Sequence, residues 1–216
     1  MWSKVIHFFK TTGKHIGYIQ GAGDLLPASL AQLGYQVTAI TANTPAAELA
    51  KFDAIITGIR AYNISPLLHD LQPKLLNYVK AGGVLVVQYN KKGRMVTDQL
   101  GPYPFTVTGD RVTEEDAPVS FLLPGDPVLR YPNKLQPSDF DGWIQERGLY
   151  FTGNVDPRYR KLFEMHDKNS PDLDGSTIYC NYGKGKYVYT ALDFFRELPA
   201  GVPGAFRLFV SLLARP

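Results

Sequence analysis

Short apolar runs alternate with segments of helical period from residue 14 to residue 90, and this alternation narrows what the chain can fold into. Residues 14–20 form the first run, closed by Gly21-Ala22-Gly23-Asp24, and read as a buried strand followed by a turn. Leu25, Leu26, Leu30 and Leu33 then recur at helical spacing, with Gly34 placed to stop the helix. Residues 35–40 are a second strand, after which Thr44 as N-cap and Pro45 at the first helical position mark another helix. A third strand spans residues 52–58. Residues 67–81 carry Leu71, Leu75, Leu76 and Val79 on one helical face, Gly82-Gly83 breaks the period, and residues 84–89 are a fourth strand. Strands separated by helices of this length pair through βαβ crossovers, which builds a parallel sheet with helices on its faces.

The pattern changes after Asn90. Residues 101–174 are rich in proline, aspartate and aromatics and carry no long helical period, so short strands (105–108 and 119–123) and loops are expected. Residues 176–182 and 186–192, joined through Gly183-Lys184-Gly185, read as a hairpin. A closing helix over 204–214 bears Phe206, Phe209, Val210 and Leu213. The expectation is one α/β domain over 14–216, a flavodoxin-like three-layer sandwich with a mainly parallel sheet and an irregular β-rich insertion. Residues 1–13 read as a linker or N-terminal extension.

Composition removes several function classes. A chain of 216 residues, 44% hydrophobic and 20% charged, can bury a sizeable core and is not a disordered segment. The net charge of +3 is scattered, and the longest basic cluster, Lys91-Lys92-Gly93-Arg94, is too short for a nucleic-acid footprint. The single cysteine, Cys180, forms no internal disulfide, which leaves both cytoplasm and periplasm open. No apolar run reaches the roughly 18 residues of a membrane span.

Ligands of open parallel sheets sit beyond the carboxyl ends of the strands. Those ends carry Gln20 to Asp24 after the first strand, Arg60-Ala61-Tyr62-Asn63 after the third, Gln88-Tyr89-Asn90 after the fourth and Asp193 to Glu197 after the late strand. Gly21-Ala22-Gly23 lacks the third glycine of a dinucleotide fingerprint, and no acid ends the second strand, so a turn capped by Asp24 is the simpler reading and no cofactor is expected. Glu114, Glu115 and Asp116 offer paired carboxylates for acid–base work or a hard cation, or are simply solvated. His166 lacks the spaced partners of a zinc site. Trp143 with Glu146 and Arg147 reads either as a sugar-stacking platform or as a buried anchor. Arg196 and Glu197 suggest a loop ion pair, and the guanidinium fork of Arg60 suits bidentate contact with a carboxylate or sugar hydroxyl.

The run from Tyr78 through Gly82-Gly83 to Asn90 resembles the helix, double glycine, strand and elbow of class I glutamine amidotransferase-like domains, including the ThuA-like branch. Residues 52–58 resemble the preceding strand of those domains, and residues 182–189 their late glycine-hinged hairpin. Catalytic members present a cysteine at the elbow, activated by a histidine and an acid. Here the elbow is Gln88-Tyr89-Asn90, Asp193 stands where the family histidine would be, and His7, His15, His69 and His166 lie elsewhere, so the triad is absent. A closer set is Gly-Ala-Gly-Asp, Arg60 to Asn63, Val87 to Asn90, Arg111 to Asp116 and Phe194 to Gly201. It resembles the amidotransferase-like C-terminal region attached to bacterial LmbE-like (PIG-L type) sugar de-N-acetylases. That resemblance implies sugar-related surroundings without transferring the zinc-dependent reaction, whose acidic and histidine motif is not in this sequence.

The expected function is a non-catalytic amidotransferase-like module, a pseudoenzyme that binds a small polar or sugar-like ligand or docks on an LmbE-like deacetylase domain in the same or another chain. Its crevice would use Asp24, Arg60, Tyr62, Asn63, Gln88, Tyr89, Asn90 and Asp193, with Glu114 and Glu115 overhead and no metal. The alternative is a carboxylate-dependent hydrolase of a sugar derivative, with Asp193 or Glu115 as base, Arg60 as charge stabiliser and Tyr89 as acid. A third reading is a structural partner domain with an apolar patch at Trp2, Phe8 and Phe9.

Overall fold

The computed structural model describes residues 10–215; Trp2, Phe8 and Phe9 lie outside the described residues. Its first half contains strands β1 (His15–Ile19), β2 (Gln36–Ala39), β3 (Ala54–Thr57) and β4 (Val84–Gln88), with helices α1 (Leu26–Gln32), α2 (Ala46–Leu49), α3 (Ala61–Ile64) and α4 (Leu67–Ala81) between them. The insertion holds β5 (Thr106–Val107), β6 (Arg111–Val112), β7 (Val119–Phe121), β8 (Gly148–Leu149), β9 (Thr152–Gly153), β10 (Arg160–Lys161) and β11 (Phe163–Met165). The chain ends with β12 (Thr177–Tyr182), β13 (Gly185–Thr190), α5 (Phe194–Ala200) and α6 (Pro203–Leu213).

A seven-stranded sheet has the order β10-β12-β13-β4-β3-β1-β2. All neighbours from β2 to β13 are parallel, and only β12 runs against its two neighbours. The parallel part has the flavodoxin-like strand order, with the hairpin supplying the fifth strand. Helices cover both faces, α1, α5 and α6 forming one layer and α2 and α4 the other. Every residue of β3, β4 and β13 is therefore buried, which explains why these strands read as continuous apolar runs rather than alternating ones.

α4 matches its expected span, and Leu71, Leu75, Leu76 and Val79 are buried along it. Gly82 ends it at φ 129, a conformation costly for other residues. The expected cap at Thr44 is not made. Its Oγ1 accepts from the Thr41 amide at 2.9 Å, Pro45 takes the N-cap position, and α2 is a single turn. Among the described residues no helix is long and apolar enough to cross a membrane.

The insertion folds as three two-stranded pieces, β5–β9, β6–β8 and β7–β11. Phe121, Phe140, Phe163 and Trp143 pack edge and face against one another, and Trp143 reaches Phe194 of α5. Trp143 is 3% exposed, and its indole N–H donates to the Asp139 carbonyl at 3.0 Å. It is the buried anchor of this region, and the stacking-platform reading is withdrawn. Buried Arg147 donates to the carbonyls of Ala117 and Phe140, so it braces loops. Leu149 bonds the Ala191 carbonyl at 3.0 Å, and Asp193 N–H bonds the Arg147 carbonyl at 3.2 Å. The insertion is thereby stitched to the carboxyl end of β13.

Candidate functional site

Strand order puts the switch point between β1 and β3, where doubly wound folds usually open a crevice. Here it is closed. A Cβ on Gly21 would overlap the Ile59 carbonyl, and one on Gly58 would overlap the Tyr18 hydroxyl, so the two loops touch backbone to backbone. Asp24 locks them together. Its Oδ1 accepts from the Tyr18 hydroxyl at 2.7 Å and from the Leu26 amide at 3.1 Å, and its Oδ2 accepts from the Ile59 amide at 3.2 Å.

Several other strand-end side chains are likewise occupied by the fold. Buried Gln88 donates to the Thr57 carbonyl at 3.2 Å. Asn90 accepts from the Tyr62 amide at 2.9 Å and donates to the Gln88 carbonyl at 3.0 Å. Tyr62 is fully buried with its hydroxyl on Gln72. Asn63 bonds the backbone of Lys91 and Arg94. Glu114 accepts from the Lys168 amide and Glu115 from the Gln145 amide, so both pin exposed loops.

Three of the expected residues keep functional groups that the fold does not use up: Arg60, Tyr89 and Asp193. They come from the ends of β3, β4 and β13, which are adjacent strands. No helix follows β4, so the strand–turn–helix elbow expected there is absent. That geometry stands instead after β3, where Arg60 adopts a left-handed φ of 58 immediately before α3. An arginine held in this region stores about 1–2 kcal/mol of backbone strain. The backbone bond from the Arg60 amide to the Tyr89 carbonyl, at 2.8 Å, ties the two strand ends together.

Tyr89 stacks on Tyr150 at 5.9 Å between ring centroids, nearly parallel, and meets Phe195 in a tilted contact at 5.5 Å. Tyr150, a second non-glycine residue with positive φ (62), comes from the insertion. Arg196 covers Phe195 at 4.8 Å and places its Nε 3.2 Å from Asp193 Oδ2. The contact is an ion pair out of line with the N–H, and neither Asp193 oxygen receives a hydrogen bond among the described residues. The expected Arg196–Glu197 pair is not formed. Glu197 is buried and accepts twice from the Ile144 amide at 3.1 Å, which points it away from the solvent-facing Arg196.

Electrostatics set this end apart. Burial pushes the Asp193 carboxyl up to about 8, helped by Glu146 and Glu197 and opposed by Arg196. Burial also pushes Glu197 up to about 7, and Tyr89 up to about 12 with Asp193 adding to the effect. Arg60 lies within electrostatic range of Tyr89, and its own Nε is buried without a hydrogen-bond partner. A neutral carboxyl and an unsatisfied guanidinium donor beside a three-ring aromatic wall make a site that can recognise a polar group.

Cys180 lies in β12, buried, with its thiol pushed up to about 12 by burial, the reverse of an activated nucleophile. Among the described residues no group of three or more histidine, cysteine or acidic side chains could hold a metal ion. A cavity of about 640 Å³ lies at the other end of the sheet, between Phe52, Asp53, Tyr78 and Arg215. It is remote from the carboxyl-end cluster. We assign the candidate site to the cluster because the buried atoms of Arg60 and Asp193, the charged side chains left without a hydrogen bond, lie there.

Tyr150 and Phe195 were not among the expected site residues. Phe195 and Arg196 lie two and three residues after Asp193, and that proximity was the available signal; Tyr150 is delivered by an irregular segment that gives none.

No protein-family model matches the sequence, and no curated protein matches it. Solved structures share the fold. A cytoplasmic protein from Salmonella typhimurium LT2 superposes with a TM-score of 0.61 at 14% identity, over 93% of this chain and 100% of that one. A second cytoplasmic protein from Salmonella typhimurium gives 0.57 at 14% identity, over 93% and 99%. A GMP synthase-like protein from Thermoplasma acidophilum gives 0.53 at 14% identity, over 94% and 96%. At such identities the likeness shows the fold alone, a flavodoxin-like α/β architecture with a mainly parallel sheet.

Proposed function

We propose that this chain is a non-catalytic amidotransferase-like module that binds a small polar ligand at the carboxyl ends of β3, β4 and β13. The observation that carries the reading is the pair of unsatisfied groups, the Asp193 carboxyl and the Arg60 Nε, both within electrostatic range of Tyr89. Buried polar groups without partners are rare in folded proteins and cost about 1–3 kcal/mol each, so a ligand that supplies the partners gains that energy. The aromatic wall of Tyr89, Tyr150 and Phe195 suits the apolar face of a sugar ring. A carbohydrate setting, with an LmbE-like deacetylase domain as neighbour in the same or another chain, rests on the sequence resemblance.

The test is a thermal-shift screen of sugars and amino sugars on the full chain and on Arg60→Ala. A true ligand at about 100 times its Kd adds about 2.7 kcal/mol and raises the Tm of the intact protein, with the response lost in the variant. If no compound shifts the intact protein, or if the variant shifts equally, the small-ligand reading is wrong. A deacetylase partner domain would then be the occupant to look for.

One observation favours a second reading, a carboxylate-dependent hydrolase. Asp193 keeps its proton at neutral pH, the state a general acid needs. Because Asp193 is fully buried, substrate reaches it only if Arg196 swings aside. Turnover of a chromogenic sugar derivative that disappears in Asp193→Asn would support catalysis, and absence of turnover in the intact chain would remove it.

A further inference from the structure

At the opposite end of the sheet, a cleft of about 450 Å³ opens beside the start of β13. Four cationic side chains line it, Arg160, Lys184, Lys186 and Arg215, and no acidic side chain does. A nearby acid, Asp126, is 5% exposed and engaged: it accepts from the Tyr179 hydroxyl at 2.7 and 2.6 Å, from Arg160 Nη1 at 2.9 Å and from the Val128 amide at 2.9 Å. Asp126 therefore fixes Tyr179 and Arg160 in the cleft wall, and it makes no ion pair with Lys184, Lys186 or Arg215.

Lys186 is the unusual member. It is 3% exposed, and its Nζ donates only to main-chain carbonyls, those of Ser211 at 3.3 Å and of Ala214, with no carboxylate in contact. Burial lowers this ammonium to about 7, with Asp126 opposing the effect. Burial thus favours the neutral amine, and an anion bound in the cleft would restore the charged form by supplying the counter-charge that Lys186 lacks. Arg215 is held over the cleft by a bond from its Nη2 to the Lys184 carbonyl at 3.1 Å, which leaves its other guanidinium nitrogens available.

We infer that this cleft is a second binding site, for a small phosphate-bearing anion. The cleft is large enough for a diphosphate or a phosphomonoester with a small body, and Pro127, Val128 and the Tyr179 ring offer that body an apolar wall. Arginine forks and point-charge lysines together are the residue set that phosphate oxygens recruit. The site lies at the amino end of β13, beside β10 and β12, and is independent of the carboxyl-end cluster.

The experiment titrates the full chain with inorganic phosphate, pyrophosphate and citrate, following Tm and heat of binding, against sodium chloride at matched ionic strength. Lys184→Ala/Arg215→Ala removes two exposed cations whose side chains carry no buried bond, and Lys186→Met removes the buried one. Saturable binding of pyrophosphate is expected, weakened about tenfold or more in the double variant. If Lys186→Met fails to fold, the double variant still decides. Three results would overturn the proposal: no saturable response, a response reproduced by chloride, or binding unchanged in the double variant. Citrate binding without phosphate or pyrophosphate would overturn the ligand class.

Discussion

Asp193→Asn is expected to stabilise the protein above neutral pH, and the size of the effect follows from the burial of this carboxyl. Asp193 is fully buried, neither oxygen accepts a hydrogen bond, and its carboxyl is pushed from 3.8 up to about 8. In the unfolded chain the group releases its proton near 3.8, whereas the folded protein retains it until about 8. Between those values the folded state binds more protons, so stability is full below the lower one, falls as pH rises and levels off above the upper one. A shift of about four units at about 1.4 kcal/mol each sets a ceiling of about 5–6 kcal/mol. Relaxation of Arg196 and entry of water reduce what is realised to about 2–3 kcal/mol. Asparagine keeps the shape and does not titrate. Urea unfolding of both proteins from about pH 5 to about pH 8.5 gives the difference directly. Glu197, pushed up to about 7, titrates in the same window but is present in both proteins, so it largely cancels. Over the parent, the variant should gain about 2 kcal/mol between about pH 5, where roughly a quarter of the loss has already occurred, and about pH 8.5. A difference that stays flat with pH, or a variant that loses ground as pH rises, would refute the reasoning.

Other consequences are equally direct. Asp24→Ala removes three hydrogen bonds joining the loops after β1 and β3 and should cost about 3 kcal/mol in urea unfolding, whereas a solvated aspartate would cost almost nothing. Arg60→Gly relieves the left-handed strain at φ 58, so its stability should equal or exceed that of the parent by up to about 1 kcal/mol while ligand response is lost; marked destabilisation would mean that Arg60 serves the fold. Cys180, buried and with its thiol pushed up to about 12, should react with a disulfide reagent only as fast as the protein opens, and rapid labelling of the native protein would contradict its placement in β12.

The sheet was legible in the sequence because its central strands β3, β4 and β13 are buried on both faces, so apolar runs and glycine breaks survive as a plain signal. α4 appears over its full expected length for the same reason, since its apolar face packs on the sheet next to β4 and β13. In the insertion only β5 and β7 were legible, inside the strands expected at 105–108 and 119–123. Its strands β6, β8, β9 and β10 are two residues long, too short for any period to register, and aromatic packing at Phe140, Trp143 and Phe163 organises the insertion instead. At the site, residue types alone pointed to the correct strand ends without telling occupied groups from free ones. Asn90 and Arg60 look alike as polar residues after a strand, yet Asn90 is consumed by the Tyr62 amide and the Gln88 carbonyl whereas the Arg60 Nε has no partner. That distinction depends on contacts between distant segments, as does the delivery of Tyr150 to Tyr89 by the insertion.

Chemical-shift mapping of backbone amides on the full chain, with the best sugar or amino sugar from the screen, tests the central claim most directly. The account predicts saturable changes clustered at Arg60, Tyr89, Tyr150 and Asp193 to Arg196, at the carboxyl ends of β3, β4 and β13. Changes confined to the lining of the large opposite-end cavity, around Phe52, Tyr78 and Arg215, would contradict it and move the ligand site to the other edge of the sheet.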